Sequence, residues 1–231
     1  MSFLLFVFGG WKWIAILLFF HFLSSGVTRY GYDHKRSVSA AQIKGGARSW
    51  KNVIANSLIA TLMSILEWNS ASDIFIAGFI GTISTSMADT LATEIGLLST
   101  KKPRLITNLN KKVDAGTSGG ITILGESASI GGSILIAFSS YILGLGSWSI
   151  VKTLLISVIS GTIGSTADSL LGAKIQGIFK CEKCGKMTEL HYHCENKTTH
   201  FSGNQRIDNN IVNILSTLVG AITGALIHQF T

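Results

Sequence analysis

The sequence predicts an all-α fold: a polytopic transmembrane bundle of about six helices with one small zinc-knuckle-like loop. Three observations predict it. Hydrophobic residues make up 47% of the 231-residue chain against 13% charged, the mean hydropathy is +0.43, and there is a single proline. That balance points away from a soluble globular domain. Six stretches approach the roughly 20 mostly apolar residues that a helix needs to cross a hydrocarbon core. The basic residues, finally, gather in alternate loops.

The first stretch runs near 4 to 26. No basic residue precedes its apolar part, Lys12 lies in its middle, and further spans follow, which separates it from a secretory signal. Gly9-Gly10 marks where it would break. The other stretches run near 52 to 68, 73 to 98, 119 to 144, 148 to 172 and 209 to 229. The chain, 1 to 231, then reads as one membrane-embedded domain, with a polar Cys- and His-rich insert, 177 to 206, between the fifth and sixth spans.

Charge orients the spans. Arg29, Lys35, Arg36, Lys44, Arg48 and Lys51 lie in the first loop; Lys101, Lys102, Arg104, Lys111 and Lys112 in the third; Lys174, Lys180, Lys183, Lys186, Lys197 and Arg206 in the fifth. The loops around "EWNSAS" and "GLGSW" hold none. By the positive-inside rule the odd-numbered loops face the cytoplasm of a cell membrane and both termini face outward. The formal charge of +7 is thus one-sided, suited to anionic lipid headgroups. No nucleic-acid partner is expected, and a homodimer is left open.

Four acids then approach one face of the membrane: Asp89 and Glu94 late in the third span, Glu126 early in the fourth, Asp168 late in the fifth. A carboxylate within a span costs several kcal/mol unless paired or solvated, so the default reading is functional. "GTISTSMADTLATEIG" (81 to 96) and "GTIGSTADSLLGAKIQ" (161 to 176) align with one gap, an internal repeat that gives Asp89 and Asp168 the same context. Small residues let helix backbones approach closely, which brings the two aspartates together. Asp89 and Glu94, five residues apart, lie about 140° apart on an ideal helix, whereas Asp89 and Thr93 share a face.

Oxygen ligands beside a basic loop suit Mg²⁺, which takes one or two carboxylates and leaves the rest of its octahedron to water and phosphate. Gly116, Thr117, Ser118, Gly119 and Gly120 offer consecutive N–H groups and hydroxyls at the expected start of the fourth span, with Lys111 and Lys112 just before them. That is a natural anion cradle, although not a Walker loop.

Five ordered segments carry a wider likeness. "HKRSVSAAQIKGGARSWKNVIANS" (34 to 57), "ADTLATEIG" (88 to 96), "PRLITNLNKKVDAGTSGGITILG" (103 to 125), "GSTADSLLGAKIQ" (164 to 176) and "DNNIVNILST" (208 to 217) resemble the motifs of the multi-pass membrane family that includes plant phytyl-phosphate kinase. The resemblance implies Mg-dependent transfer of the terminal phosphoryl group of CTP to a prenyl monophosphate, phytyl- or geranylgeranyl-like, giving the diphosphate. It implies Lys35, Arg36 and Arg48 as phosphate or nucleotide contacts, with Asn52 and Asn56 behind them. It further implies Asp89, Glu94 and Asp168 at the Mg²⁺ and triphosphate end, and Asn209, Asn210 and Asn213 as amides at the start of the last span. Ser57 and Ile207 stand where relatives often carry bulkier residues, and Glu126 matches no motif of the family.

Phosphoryl transfer is mainly positioning plus charge stabilisation. A prenyl phosphate is already anionic near neutral pH and attacks without a base, and none of the six His lies deep in a span. A lipid cytidylyltransferase or a polyisoprenol kinase would use similar parts, and an ion-coupled transporter would also show repeats and intramembrane acids, though nearer the midplane.

In the insert, "CEKCGKMTELHYHC" supplies Cys181, Cys184 and Cys194, with His191 preferred as the fourth ligand because adjacent His193 and Cys194 would form a tight chelate. Three thiolates and one imidazole make a structural zinc set. The odd Cys count and the expected cytoplasmic side argue against a disulfide framework.

Overall fold

A computed structural model describes residues 1–37 and 49–231. Seven helices appear among them: α1 (Ser2–Arg29), α2 (Tyr32–Ser37), α3 (Trp50–Ser70), α4 (Asp73–Gly96), α5 (Ile123–Ile142), α6 (Ile150–Lys174) and α7 (Asn209–Phe230). Short strands occupy two of the connections: β1 (Arg104–Leu105), β2 (Asn108–Lys112) and β3 (Gly120–Ile121) between α4 and α5, and β4 (Ile178–Lys180), β5 (Met187–Thr188), β6 (Tyr192–His193), β7 (Asn196–Lys197) and β8 (Thr199–Ser202) between α6 and α7.

The six long helices match the six apolar stretches, and local chemistry fixes their starts. Ser49, Thr122, Ser149 and Asp208 each stand at an N-cap and accept from a backbone N–H of the first turn, satisfying donors that a helix start leaves unpaired. The first helix breaks where its glycine pair predicts: Gly10 holds φ 76° and ψ −172°, outside the helical region.

Five of these helices, α1, α4, α5, α6 and α7, are long and apolar enough to cross a membrane. The 21 residues of α3 give it sufficient length, about 1.5 Å per residue, but Asn52, Asn56, Ser57, Thr61, Ser64 and Glu67 lower its hydropathy. Ser57, Thr61 and Ser64 are buried, so its polar face turns into the bundle.

At the centre stands α4, packed against α1, α3, α5, α6 and α7. Small side chains make that packing close. Ser84 and Ser157 hydroxyls hydrogen-bond at 2.6 Å, Ser157 also donates to the Ser133 carbonyl (2.6 Å), and Thr85 donates to the Ser160 carbonyl (3.1 Å). A Cβ at Gly161 would collide with the Ser133 hydroxyl, and one at Gly164 with Thr85. Contacts advance together along α4 and α6, so the two repeat helices run parallel and carry Asp89 and Asp168 to the same end.

The insert stands on a closed neck. Gly177 donates to the Ile207 carbonyl (2.9 Å) and Asn204 to that of Ile175 (2.9 Å). Within it the strands form a sheet ordered β5-β4-β8 and a separate β6-β7 hairpin.

Candidate functional site

A cavity of about 140 Å³ opens at the end of the bundle where α4 and α6 finish and α5 and α7 begin. Asp89 and Thr93 reach it from α4, Glu126 from α5, Asp168 and Ser169 from α6 and Asn209 from α7. The carboxylates of Asp89 and Asp168 lie within side-chain hydrogen-bonding reach of each other. The two aspartates of the repeat, in neighbouring parallel helices, therefore face one space.

Asp168 is oriented from behind. Its Oδ2 accepts from the Ser216 hydroxyl at 2.9 Å. With its amide turned so that donors meet acceptors, Asn213 donates to the same oxygen (3.1 Å) and to the Asn209 carbonyl (3.1 Å), while its own oxygen accepts from Asn52 Nδ2 (3.2 Å). Asn56 in turn donates to the Asn52 carbonyl at 2.9 Å. A chain of amides thus runs from α3 through α7 to Asp168. Asn52, Asn56 and Asn213 support the carboxylate from outside the cavity, and only Asn209 lines it. Asn210 donates to Asp208 Oδ2 (2.9 Å) and belongs to the helix cap.

The glycine-rich turn forms the opposite wall, Gly116 to Gly120 all lining the cavity. It does not stand at the helix start that the sequence suggests, because Thr122 caps α5 and the helix begins at Ile123. Gly116 and Gly119 hold positive φ (82° and 74°), and a side chain at Gly119 would meet Ala173 and the Ser169 carbonyl. The turn thereby lies flat against α6. Lys111 and Lys112, on exposed β2, do not reach the cavity.

Glu94 and Lys35 sit elsewhere, with each other. The Lys35 ammonium donates to Glu94 Oε2 at 2.7 Å, and both side chains are buried, at 1% and 7% exposure. Lys35 also donates to the Val27 and Thr28 carbonyls (2.8 and 3.3 Å), filling acceptors at the end of α1. The 140° separation along the helix sends Asp89 into the cavity and Glu94 against α1 and α2. The Arg36 side chain and Arg48 lie outside the described residues.

Sequence reasoning missed Glu189. It hangs from the insert, accepts from the Ser118 hydroxyl at 2.5 Å and lines the cavity. Gln176, at the insert neck, joins the lining. No periodicity announces either residue; a polar insert tied to the bundle by a short neck was the available signal. The described lining offers carboxylates, hydroxyls and amides but no lysine or arginine. Three carboxylates around one space, Asp89, Glu126 and Asp168, with hydroxyl and amide oxygens beside them, fit a hard divalent cation.

The insert gathers a second donor set. Ligand atoms of Cys181, Cys184, His193 and Cys194 all lie within 4.8 Å of one another. His193 Nδ1 stands 3.5 Å from Cys184 Sγ and 3.2 Å from Cys194 Sγ. His191 is not in the set: its ring packs on Phe179, with centroids 4.4 Å apart. The expected strain of the His193-Cys194 pair is absorbed by the β6-β7 turn, where Cys194 and Glu195 both take positive φ, 53° and 64°. This is the two-residue turn that hairpin twist favours, built without glycine. The other arm is a knuckle in which Cys181 donates to the Lys186 carbonyl and Gly185 to that of Cys181. Backbone hydrogen bonding at Cys184, aided by the His193 ring, lowers the Cys181 thiol to about 6, while neighbouring Cys184 pushes Cys194 up. Three sulfur donors and one imidazole converge on one point, a set that fits a tetrahedral metal ion.

Comparison with known proteins places the chain. Residues 1–221 match the family described as integral membrane protein DUF92. An uncharacterized membrane protein of Methanocaldococcus jannaschii is 35% identical over 231 residues, covering 99% of this chain and 81% of its own length. Protein PGR of Arabidopsis thaliana is 34% identical, covering 91% of this chain and 79% of its own. The chloroplastic protein VTE6 of the same plant is 24% identical, covering 90% of this chain and 56% of its own. No solved structure matches. The chain belongs to the DUF92 family of integral membrane proteins.

Proposed function

We propose that the protein is a membrane-embedded kinase that transfers the terminal phosphoryl group of CTP to a prenyl monophosphate, with Mg²⁺ as cofactor. The observation that carries this reading is the meeting of Asp89 and Asp168 in a cavity beside a glycine-rich turn. The motif resemblance to the family of plant phytyl-phosphate kinase and the similarity to VTE6 support it.

Asp89 and Asp168 would hold the Mg²⁺ ion, which when bound neutralises phosphate charge. The turn from Gly116 to Gly120 confines the phosphate tail, and Ser216 and Asn213 keep the Asp168 carboxylate aimed. Glu189, tied to Ser118, keeps the insert docked on that turn. In the reaction an oxygen of the acceptor monophosphate forms a bond to the terminal phosphorus of CTP. The bond from that phosphorus to its bridging oxygen breaks, CDP leaves, and the prenyl diphosphate remains. The acceptor oxygen is already deprotonated, so no general base is required.

Purified protein given CTP labelled at its terminal phosphate, Mg²⁺ and geranylgeranyl monophosphate should place the label in the diphosphate. Release of pyrophosphate with cytidine in the lipid would mean a cytidylyltransferase, and label in neither product would sink the reading. A free prenyl alcohol phosphorylated faster than the monophosphate would overturn the choice of acceptor.

The same reading gives the insert a zinc ion on Cys181, Cys184, His193 and Cys194, bracing the loop that carries Glu189. Metal analysis should find close to one zinc per chain. His193→Ala should lose the metal, whereas His191→Ala should retain it. Equal loss from both would contradict the ligand set.

A further inference from the structure

A second, larger hollow adjoins the carboxylate cavity. About 760 Å³ in volume, it runs between the α4-to-β1 connection and the first two turns of α5, within the roughly 300–1,000 Å³ of small-molecule sites. Its chemistry is the reverse of the first cavity's. Apolar Leu98, Leu109, Ile123, Leu124 and Ile130 line it together with the cations Lys101, Lys102 and Arg104. Ile123 is 81% exposed, an uncovered apolar side chain at the start of a membrane-crossing helix.

The cations are arranged for an anion. Arg104 donates to the Leu109 carbonyl at 2.6 Å, which fixes its guanidinium beside the hollow. Lys102 reaches Asp114 at 3.3 Å with both groups largely exposed, a contact worth little and readily exchanged for another anion. Ile121, Thr122 and Glu126 line both hollows, so the two adjoin at the N-terminus of α5. A molecule with an anionic head and a long apolar tail matches the groove by charge and by polarity, and its head would stand at the threshold of the carboxylate cavity.

We propose that this groove holds the prenyl chain of the acceptor, with Lys101, Lys102 and Arg104 drawing its monophosphate to the threshold at Thr122 and Glu126. The assignment rests on the kinase reading for the identity of the head group. It separates the two substrates by chemistry: nucleotide phosphates with their cation on the carboxylates, acceptor phosphate on the lysines and arginine. Glu126, which lines both hollows, then becomes the partition between the two subsites.

The test uses the full chain in lipid nanodiscs with geranylgeranyl monophosphate carrying a diazirine at its distal end. After photolysis and mass mapping, label should fall within 98–109 and 121–130. Excess geranylgeranyl monophosphate should suppress it and excess phosphatidylglycerol should not. Label in other segments, or equal suppression by phosphatidylglycerol, would overturn the proposal, the second by marking an ordinary lipid site. Because labelling needs no turnover, correct labelling without phosphoryl transfer would support the groove while removing the kinase reading; transfer with misplaced label would remove the groove alone. Leu124→Trp, at a partly exposed position, should shift preference about tenfold from geranylgeranyl toward dimethylallyl monophosphate. An unchanged preference would count against the groove.

Discussion

Asp168→Asn is expected to reduce phosphoryl transfer by about two to three orders of magnitude, the size associated with removing one charge-stabilising group from a preorganised site. The substitution is nearly isosteric, and the surroundings dictate how it is accommodated. Ser216 and Asn213 both donate toward the position of Oδ2, so the new amide must turn its oxygen to them. Its NH₂ then faces Asp89. A donor replaces a carboxylate oxygen in the cavity, and one negative charge disappears. Backbone and packing are retained, so thermal stability should change little while the Mg²⁺ concentration for half-maximal activity rises. Asp89→Asn should behave alike, and the double variant should be little worse than either single one, because groups that act as a unit are not additive. Turnover of Asp168→Asn within about threefold of the parent would remove the carboxylate pair from the chemistry.

That pair is legible in the sequence, and the reason is physical. Hydrocarbon forces spans of near-constant length, so helix positions follow from hydropathy, and an ionised group inside a span must have a reason. The repeat then put Asp89 and Asp168 in equivalent places on parallel helices, and the small residues between them allowed contact. The face shared by Asp89 and Thr93 followed from helical geometry alone.

What stayed hidden depends on chain separated in sequence or on local backbone. Glu94 finds its partner 59 residues away, and nothing in the spacing of either residue marks Lys35 as that partner. The exchange of His191 for His193 turns on two non-glycine residues at positive φ, which composition does not announce. Thr122 as the cap of α5 displaces the glycine-rich turn from the helix start by three residues, a boundary that hydropathy blurs because glycine and isoleucine continue the apolar run. Glu189 enters the site only because the insert folds back over the bundle.

The second large effect is on stability. Lys35→Met should destabilise the protein by about 3–5 kcal/mol, since it leaves the Glu94 carboxylate buried without its cation. Glu94→Gln should be milder: the Lys35 ammonium keeps the Val27 and Thr28 carbonyls, at 2.8 and 3.3 Å, as acceptors. The asymmetry follows from which charge is stranded and what remains to solvate it. Replacing both, as Lys35→Met with Glu94→Leu, removes both desolvation penalties together, and a well-packed apolar pair is often neutral relative to a buried ion pair. The double variant should therefore recover most of the loss. In thermal denaturation of detergent-solubilised protein, Lys35→Met should lower Tm by roughly 6–20 °C, with Glu94→Gln and the double variant falling by less. If the double variant unfolds as early as Lys35→Met, the pair is not what joins α1 and α2 to α4, and Glu94 must owe its place to another partner.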